Sequence, residues 1–143
     1  MKISTRGRYA IRVMIDLAEH NTGDYIPLTD IAKRQGISEK YLEAIVSSLV
    51  KSGNLKALRG KKGGYRLVKE PAEYTIKSIL EVTEGEFAPV SCMESGAGQC
   101  ERYFECRTIK MWEGLNQVIS DYFEHITLED LVKEGNSGDD YVI

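Results

Sequence analysis

The chain has 143 residues, 29% of them charged and 42% apolar, with a formal net charge of −3. That length suits one compact domain with an appended element, and it buries roughly two thirds of its unfolded surface, so no disulfide or metal is needed merely to hold a core. No run approaches the ~18 apolar residues of a membrane span, and the opening MKISTRGRYAIRVMIDLAEH interrupts its apolar residues with Arg12, Asp16 and Glu19, unlike a secretory leader; the expected compartment is the cytoplasm, where thiols stay reduced.

The small net charge hides an asymmetry. Residues 1–70 carry 14 Lys/Arg against 7 Asp/Glu, and residues 71–143 carry 5 against 15. A basic half followed by an acidic half points to a polyanionic partner for the first.

Residues 4–20 read as a helix that Ser4 or Thr5 can cap, with Tyr9, Val13 and Leu17 beside Ile11, Met14 and Ala18 at helical spacing. NTGDYIP is a turn. A short helix is expected over 28–35, broken at Gly36, and Ser38 caps a second helix reaching about Ser52, with Leu42, Ile45, Val46 and Leu49 on one face. Gly53 suits its C-terminus. This spacing is that of a helix-turn-helix. Ala32 is small where the two helices must approach, Gly36 serves a turn that needs positive φ or close backbone approach, and Ile31, Ile37, Leu42 and Ile45 pin the pair.

LKALR and YRLVK then flank GKKGG, a hairpin signal. Arg59, Lys61, Lys62 and Arg66 cluster around Gly60, Gly63 and Gly64. A basic, glycine-rich hairpin after a recognition helix is a wing: small residues let its backbone lie near phosphates, and a narrow minor groove attracts Arg. A phosphate-binding P-loop is excluded, because GxxxxGK[ST] and its following helix are missing. On the recognition helix, the face away from the core offers Ser38, Lys40, Glu43, Ala44 and Ser47. Ser and Lys can meet phosphates or bases, and Glu can accept from cytosine N4.

Thr75 caps a helix carrying Ile76, Ile79, Leu80 and Val82. Residues 85 to about 106 are loop-like, a long helix covers roughly 108–125, and a short one follows at 127–133, with GNSGDDYVI expected as a loosely held tail. In the long helix Thr108, Trp112, Leu115, Ile119, Tyr122 and Ile126 follow heptad spacing, the pattern of a dimer seam about 30 Å long. Helix-turn-helix proteins usually read paired half-sites as symmetric dimers, so a homodimer on a pseudo-palindromic DNA operator is expected. The fold class is mainly α with a small β-hairpin wing, organised as a winged helix-turn-helix over 1–84, a cysteine-bearing loop over 85–107, a dimerisation helix with a short helix over 108–135, and a flexible tail over 136–143.

Cys92, Cys100 and Cys106 are the chain's three cysteines, all in that loop. An odd count argues against a disulfide framework, and the spacing lacks the close pairs of a zinc finger. Clustered thiolates suit soft metal, above all an iron–sulfur cluster; incidental thiols or a thiol redox sensor are the competing readings. An enzyme is not expected, since His20 and His125 stand apart from any nucleophile.

MKISTRGRYA, IAKRQGISEKYLE, RGKKGGYRL, the three cysteines and ITLEDLV together resemble the IscR-type winged-helix regulators, over nearly the whole chain. That family also holds cysteine-metabolism repressors and nitric-oxide sensors, and the likeness is greatest to its cluster-holding branch. The resemblance implies that Cys92, Cys100 and Cys106 ligate a [2Fe–2S] cluster, with [4Fe–4S] left open, and that the protein controls cluster-assembly genes. It implies DNA contacts from Tyr9, Ser38, Lys40, Tyr41 and Glu43, and from Arg59 in the wing, beside which Lys61 and Lys62 stand. Two departures leave the fourth ligand open: Ile109 stands three residues after the last cysteine, where the cluster-holding branch has a histidine, and the spacing from Cys92 to Cys100 is longer than in that branch. The nitric-oxide sensors take a carboxylate from near the N-terminus, where this chain has Arg8. Glu94, Glu101, Glu105, His20, His125 or an exogenous group remain as alternatives. A cofactor-free regulator, controlled by a protein partner or by thiol oxidation, is the other reading within the family.

Overall fold

A computed structural model describes residues 2–138 of the chain. Helix α1 (Thr5–Glu19) starts where the Ser4 hydroxyl oxygen accepts from the Gly7 amide at 3.0 Å. It buries Ala10, Val13, Met14 and Leu17. Helix α2 (Leu28–Gln35) begins after Pro27, without a side-chain cap, and stops at Gly36, whose φ of +65° few side chains tolerate. Two residues later Ser38 caps α3 (Glu39–Lys51), its hydroxyl accepting from the Tyr41 amide at 3.2 Å. Leu42, Ile45, Val46 and Leu49 of α3 are buried.

Strands β1 (Leu55–Leu58) and β2 (Gly64–Leu67) pair antiparallel, with Leu55 opposite Leu67 and Leu58 opposite Gly64. The wing's base is stapled to the α1–α2 connection. The Ile26 amide donates to the Tyr65 carbonyl and the Tyr65 amide to the Ile26 carbonyl, both at 2.9 Å. Gly64 is required there, because a Cβ at that position would lie 2.1 Å from the Ile26 carbonyl oxygen.

A 3-10 turn (Pro71–Glu73) leads to the buried Tyr74 and then to α4 (Ile76–Glu84), capped by Thr75. Tyr74 ties the wing to the helices: its hydroxyl donates to the Asn54 carbonyl at 2.7 Å and accepts from the Val68 and Lys69 amides. Burial raises the pKa of this phenol, offset in part by those two amides. Two further 3-10 turns (Ser91–Met93 and Tyr103–Glu105) precede α5 (Ile109–Glu124) and α6 (Leu128–Gly138). Six helices and one hairpin among the described residues make the mainly helical winged-helix fold expected.

Two expectations shift. Helix α6 reaches Gly138 rather than 133, so the first residues assigned to the tail are helical; 139–143 lie outside the described residues. It is seated on the main core against α1, with Leu128 fully buried and its amide donating to the Tyr74 carbonyl. The apolar stripe of α5 is also rotated. Trp112 and Ile119 are only half-exposed, and Phe123 and Ile126 pack on the core. The outward row is Met111, Leu115, Val118 and Tyr122, of which Val118 and Tyr122 are each 65% exposed. One flank of α5 is spent on its own domain, where Phe87 meets Phe123 at 5.5 Å, and that contact sets the phase of the helix.

Candidate nucleic-acid interface and cysteine segment

Helix α3 and the wing converge on one side of the molecule. Thr29, Glu43, Ser47, Lys51 and Arg59 help line a groove of about 620 Å³ between them. Glu43 and Arg59 therefore share a surface although 16 positions separate them in sequence. Lys61 and Lys62 are exposed at the wing's tip. Arg66 is not part of that cluster. Its guanidinium lies 4.5 Å from the Tyr25 ring centroid and donates to the Gly23 carbonyl, bracing the wing's base.

At the N-terminal end of α3, Ser38, Lys40 and Tyr41 are exposed. They border a second, mostly apolar hollow of about 430 Å³ with Arg6, Ala44 and Ile45. Tyr9 of α1 packs edge-on against Tyr41 at 5.6 Å. Of the eight residues expected to meet DNA, all lie on α3 or its cap, on the adjoining turn of α1, or at the wing.

Two cations of this surface were not singled out from the sequence. Arg6 donates to the Ser48 hydroxyl at 2.7 Å, and Arg12 lies over the Tyr9 ring at 5.2 Å. Their signal was available in the spacing: Arg6, Tyr9 and Arg12 recur every third residue along α1, on one side of the helix. Behind them Arg34 forms an ion pair with Asp16 at 2.7 Å, and the hydrogen bond to that carboxylate is the main cause holding the Arg34 pKa above its ordinary value.

The cysteines sit apart from this surface. Cys92 lies in the Ser91–Met93 turn and Cys100 before the next; both are exposed. Cys106 is half-buried after the Tyr103–Glu105 turn, with Sγ 3.4 Å from the Thr108 hydroxyl. That hydroxyl, then the Thr108 amide, holds the Cys106 pKa below its ordinary value, which favours thiolate. All three are free thiols. As a donor set they fit a thiophilic cluster in kind, and a fourth ligand must come from elsewhere. The positions do not converge: among the described residues no three His, Cys, Asp or Glu are grouped to hold a metal.

Of the fourth-ligand alternatives, Glu94, Glu101 and Glu105 are exposed in the same segment. His20 and His125 instead turn Nδ1 to the carbonyls of Asp16 and Asp121 on their own helices, at 2.9 and 2.6 Å. Arg8 donates to the Thr5 hydroxyl, and Ile109 begins α5. The segment's start is fastened to the N-terminal end of α1. Glu84 accepts from the Ser4 amide at 3.2 Å and from the Ser4 hydroxyl, and Ser95 donates to Glu86. No helix among the described residues is long and apolar enough to cross a membrane.

The chain is similar to known proteins over almost all of its length. Residues 3–134 match the Rrf2 family, described as iron-dependent transcriptional regulators. It is 37% identical to the HTH-type transcriptional regulator IscR of Vibrio campbellii over 134 residues, covering 94% of this chain and 79% of that one. Among solved structures, CymR of B. subtilis, the global cysteine regulator, is 35% identical with a TM-score of 0.76, covering 94% of this chain and 98% of that one. IscR of T. potens is 34% identical with a TM-score of 0.74, covering 94% and 88%. The relatives are regulators rather than enzymes, and their fold is the one built here from capped helices and a stapled wing. By sequence and by structure, this chain belongs to the Rrf2 family of transcriptional regulators.

Proposed function

We propose that this Rrf2-family regulator is a cytoplasmic homodimer that reads a pseudo-palindromic operator, and that Cys92, Cys100 and Cys106 hold an iron–sulfur cluster whose state sets its DNA affinity. Ser38, Lys40, Tyr41 and Glu43 enter a major groove at the N-terminal half of α3. Tyr9 meets the flanking backbone, and Arg59, Lys61 and Lys62 of the wing meet phosphates or the minor groove. Two such heads, related by a two-fold axis along α5, sit about one helical turn of DNA apart.

The observation that carries the sensing half is the position of the thiols. Three free cysteines occupy turns between α4, which packs on the DNA-binding core, and α5, whose outward apolar row awaits a second copy. A cluster bound there supplies a redox-active cross-link between the thiolates. The chain's own residues do the rest: Thr108 favours the Cys106 thiolate, and the Glu84–Ser4 bonds join the segment's start to α1. A [2Fe–2S] cluster is the form proposed, with its fourth ligand from a carboxylate of the segment or an exogenous group. The genes it controls are then those of cluster assembly, since cluster supply is what the site would report.

A second reading has its own support. The thiols do not converge among the described residues, and CymR, a global cysteine regulator, is as similar in fold as IscR is. In that reading the chain carries no cofactor and responds to a protein partner or to thiol oxidation. Anaerobic purification followed by a visible spectrum with iron and sulfide analysis decides between them. Charge-transfer absorption with equal iron and sulfide supports the cluster. A colourless, iron-free protein that still selects a duplex from a randomised DNA pool supports the cofactor-free regulator.

A further inference from the structure

Asp16 is buried to 1% exposure on the core-facing side of α1, between Val13 and Leu17. Burial alone is served better at such a place by an aliphatic side chain. A buried ion pair is weak evidence for stability, and its best-attested use is to single out one geometry. The partners of Asp16 show which geometry that is. Arg34 donates from Nε to both carboxylate oxygens and from Nη2 to Oδ1, and Gln35 donates from Nε2 to Oδ2 at 2.9 Å. The other end of the same amide is engaged as well: Gln35 Oε1 accepts from Arg12 Nε at 3.1 Å, and the Gln35 carbonyl accepts from Arg12 Nη2. Arg12 lies over the Tyr9 ring, and Tyr9 packs edge-on against Tyr41.

We infer that Asp16 is a positioning residue for DNA reading, acting through Gln35 and Arg12 to set the Tyr9–Tyr41 pair and the N-terminal end of the recognition helix. The inference rests on the DNA-binding reading above and deepens it. Two routes from Gln35 reach the same place. One runs along the backbone through Gly36 and Ile37 to Ser38, the cap of α3; the other runs through space by Arg12 and Tyr9 to Tyr41. The relay has a polarity. A carboxylate at position 16 requires the amide nitrogen of Gln35 to face it, which leaves the amide oxygen for the Arg12 guanidinium. With Asn at 16, one amide must meet a donor with a donor. With Glu at 35 beside Asp16, two carboxylates face each other. Asn at 16 together with Glu at 35 restores a donor to an acceptor between the two side chains, and leaves the Asn oxygen to accept from Arg34 and the second Glu oxygen to accept from Arg12.

The test uses the full chain and a duplex that the unsubstituted protein has selected from a randomised pool, with a scrambled duplex as control. Asp16→Asn and Gln35→Glu should each weaken binding to the selected duplex by about tenfold, which is 1.4 kcal/mol, and narrow the preference over the scrambled one. The double variant should recover to within about threefold of the unsubstituted chain, the signature of coupled neighbours. Circular-dichroism melts separate this from a merely structural role. If Asp16→Asn does not fold, Gln35→Leu carries the test, since it cuts the side-chain link between Asp16 and Arg12 and leaves the Asp16–Arg34 pair intact. Its loss of preference without a lowered midpoint supports the relay. The relay is overturned if the double variant binds no better than the weaker single, if Gln35→Leu binds normally, or if affinity for both duplexes falls only in step with melting. A chain that selects no duplex overturns the DNA reading itself, and the relay with it.

Discussion

Glu43 and Arg59 share one groove but should fail differently when removed. Arg59 can neutralise a phosphate or insert into a narrow minor groove, so Arg59→Ala should weaken all DNA binding and lessen the salt slope by about one. Glu43 offers only acceptors, so it gains from a cytosine N4 donor and is repelled by phosphate. Glu43→Ala should therefore relax base preference, with mismatched sites gaining affinity; a uniform loss across sequences would contradict base reading by Glu43. Both titrations are read by fluorescence anisotropy at several salt concentrations. At this scale the sequence is most legible where chemistry is local. Ser38, Thr75 and Gly36 announce their cap and turn roles through neighbours within four positions. Arg66 misleads because its partners, Tyr25 and Gly23, lie some forty residues away. Asp16 is silent for the same reason, since a carboxylate in an amphipathic helix reads as solvated until α2 is packed beside it.

Helix α5 shows the limit of periodicity as a guide to elements. Its heptad spacing is real, but Ile126 packs on its own domain's core and Trp112 and Ile119 are only half-exposed, while Met111, Leu115, Val118 and Tyr122 stay outward. Spacing gives the width of an apolar stripe; only tertiary contacts say which edge is already used. The proposed dimer therefore predicts that Val118→Asp yields monomer by sedimentation, whereas a dimer surviving that change would move the seam elsewhere. The wing makes a second prediction. Tyr74→Phe leaves the Asn54 carbonyl and the Val68 and Lys69 amides without the hydroxyl they share. It should cost about 1–3 kcal/mol in denaturant melts. Because burial raises the Tyr74 pKa, the folded state favours the neutral phenol. That stability is full below the ordinary phenol value of 10.0 and is lost as pH rises through the higher folded value.

At the scale of the whole molecule, the proposal assigns DNA reading to the basic half and the sensor and dimer helix to the acidic half, the division that charge alone suggested. Helix α6 blurs it, because ITLEDLV returns to pack on α1 and belongs physically to the core of the N-terminal half. One contact between the two halves joins Glu84 to Ser4, one residue before the cysteine-bearing segment begins. Gathering three thiolates at one centre would order residues 92–106 and bias the path from α4 into α5, and with it the spacing of the two reading heads. A cofactor can shift that balance only by its differential affinity for the two arrangements. Cys92→Ala, Cys100→Ala and Cys106→Ala should each abolish visible absorption and leave the helical melt unchanged, since the buried core includes none of the three cysteines. The most direct test compares the DNA affinity of anaerobically cluster-loaded protein with that of chelator-stripped protein, on duplexes selected by each form. The account predicts a difference of about tenfold or more on at least one duplex, which requires only 1.4 kcal/mol of coupling. Equal affinity on every duplex would contradict it, because the cysteine segment would then not be the switch.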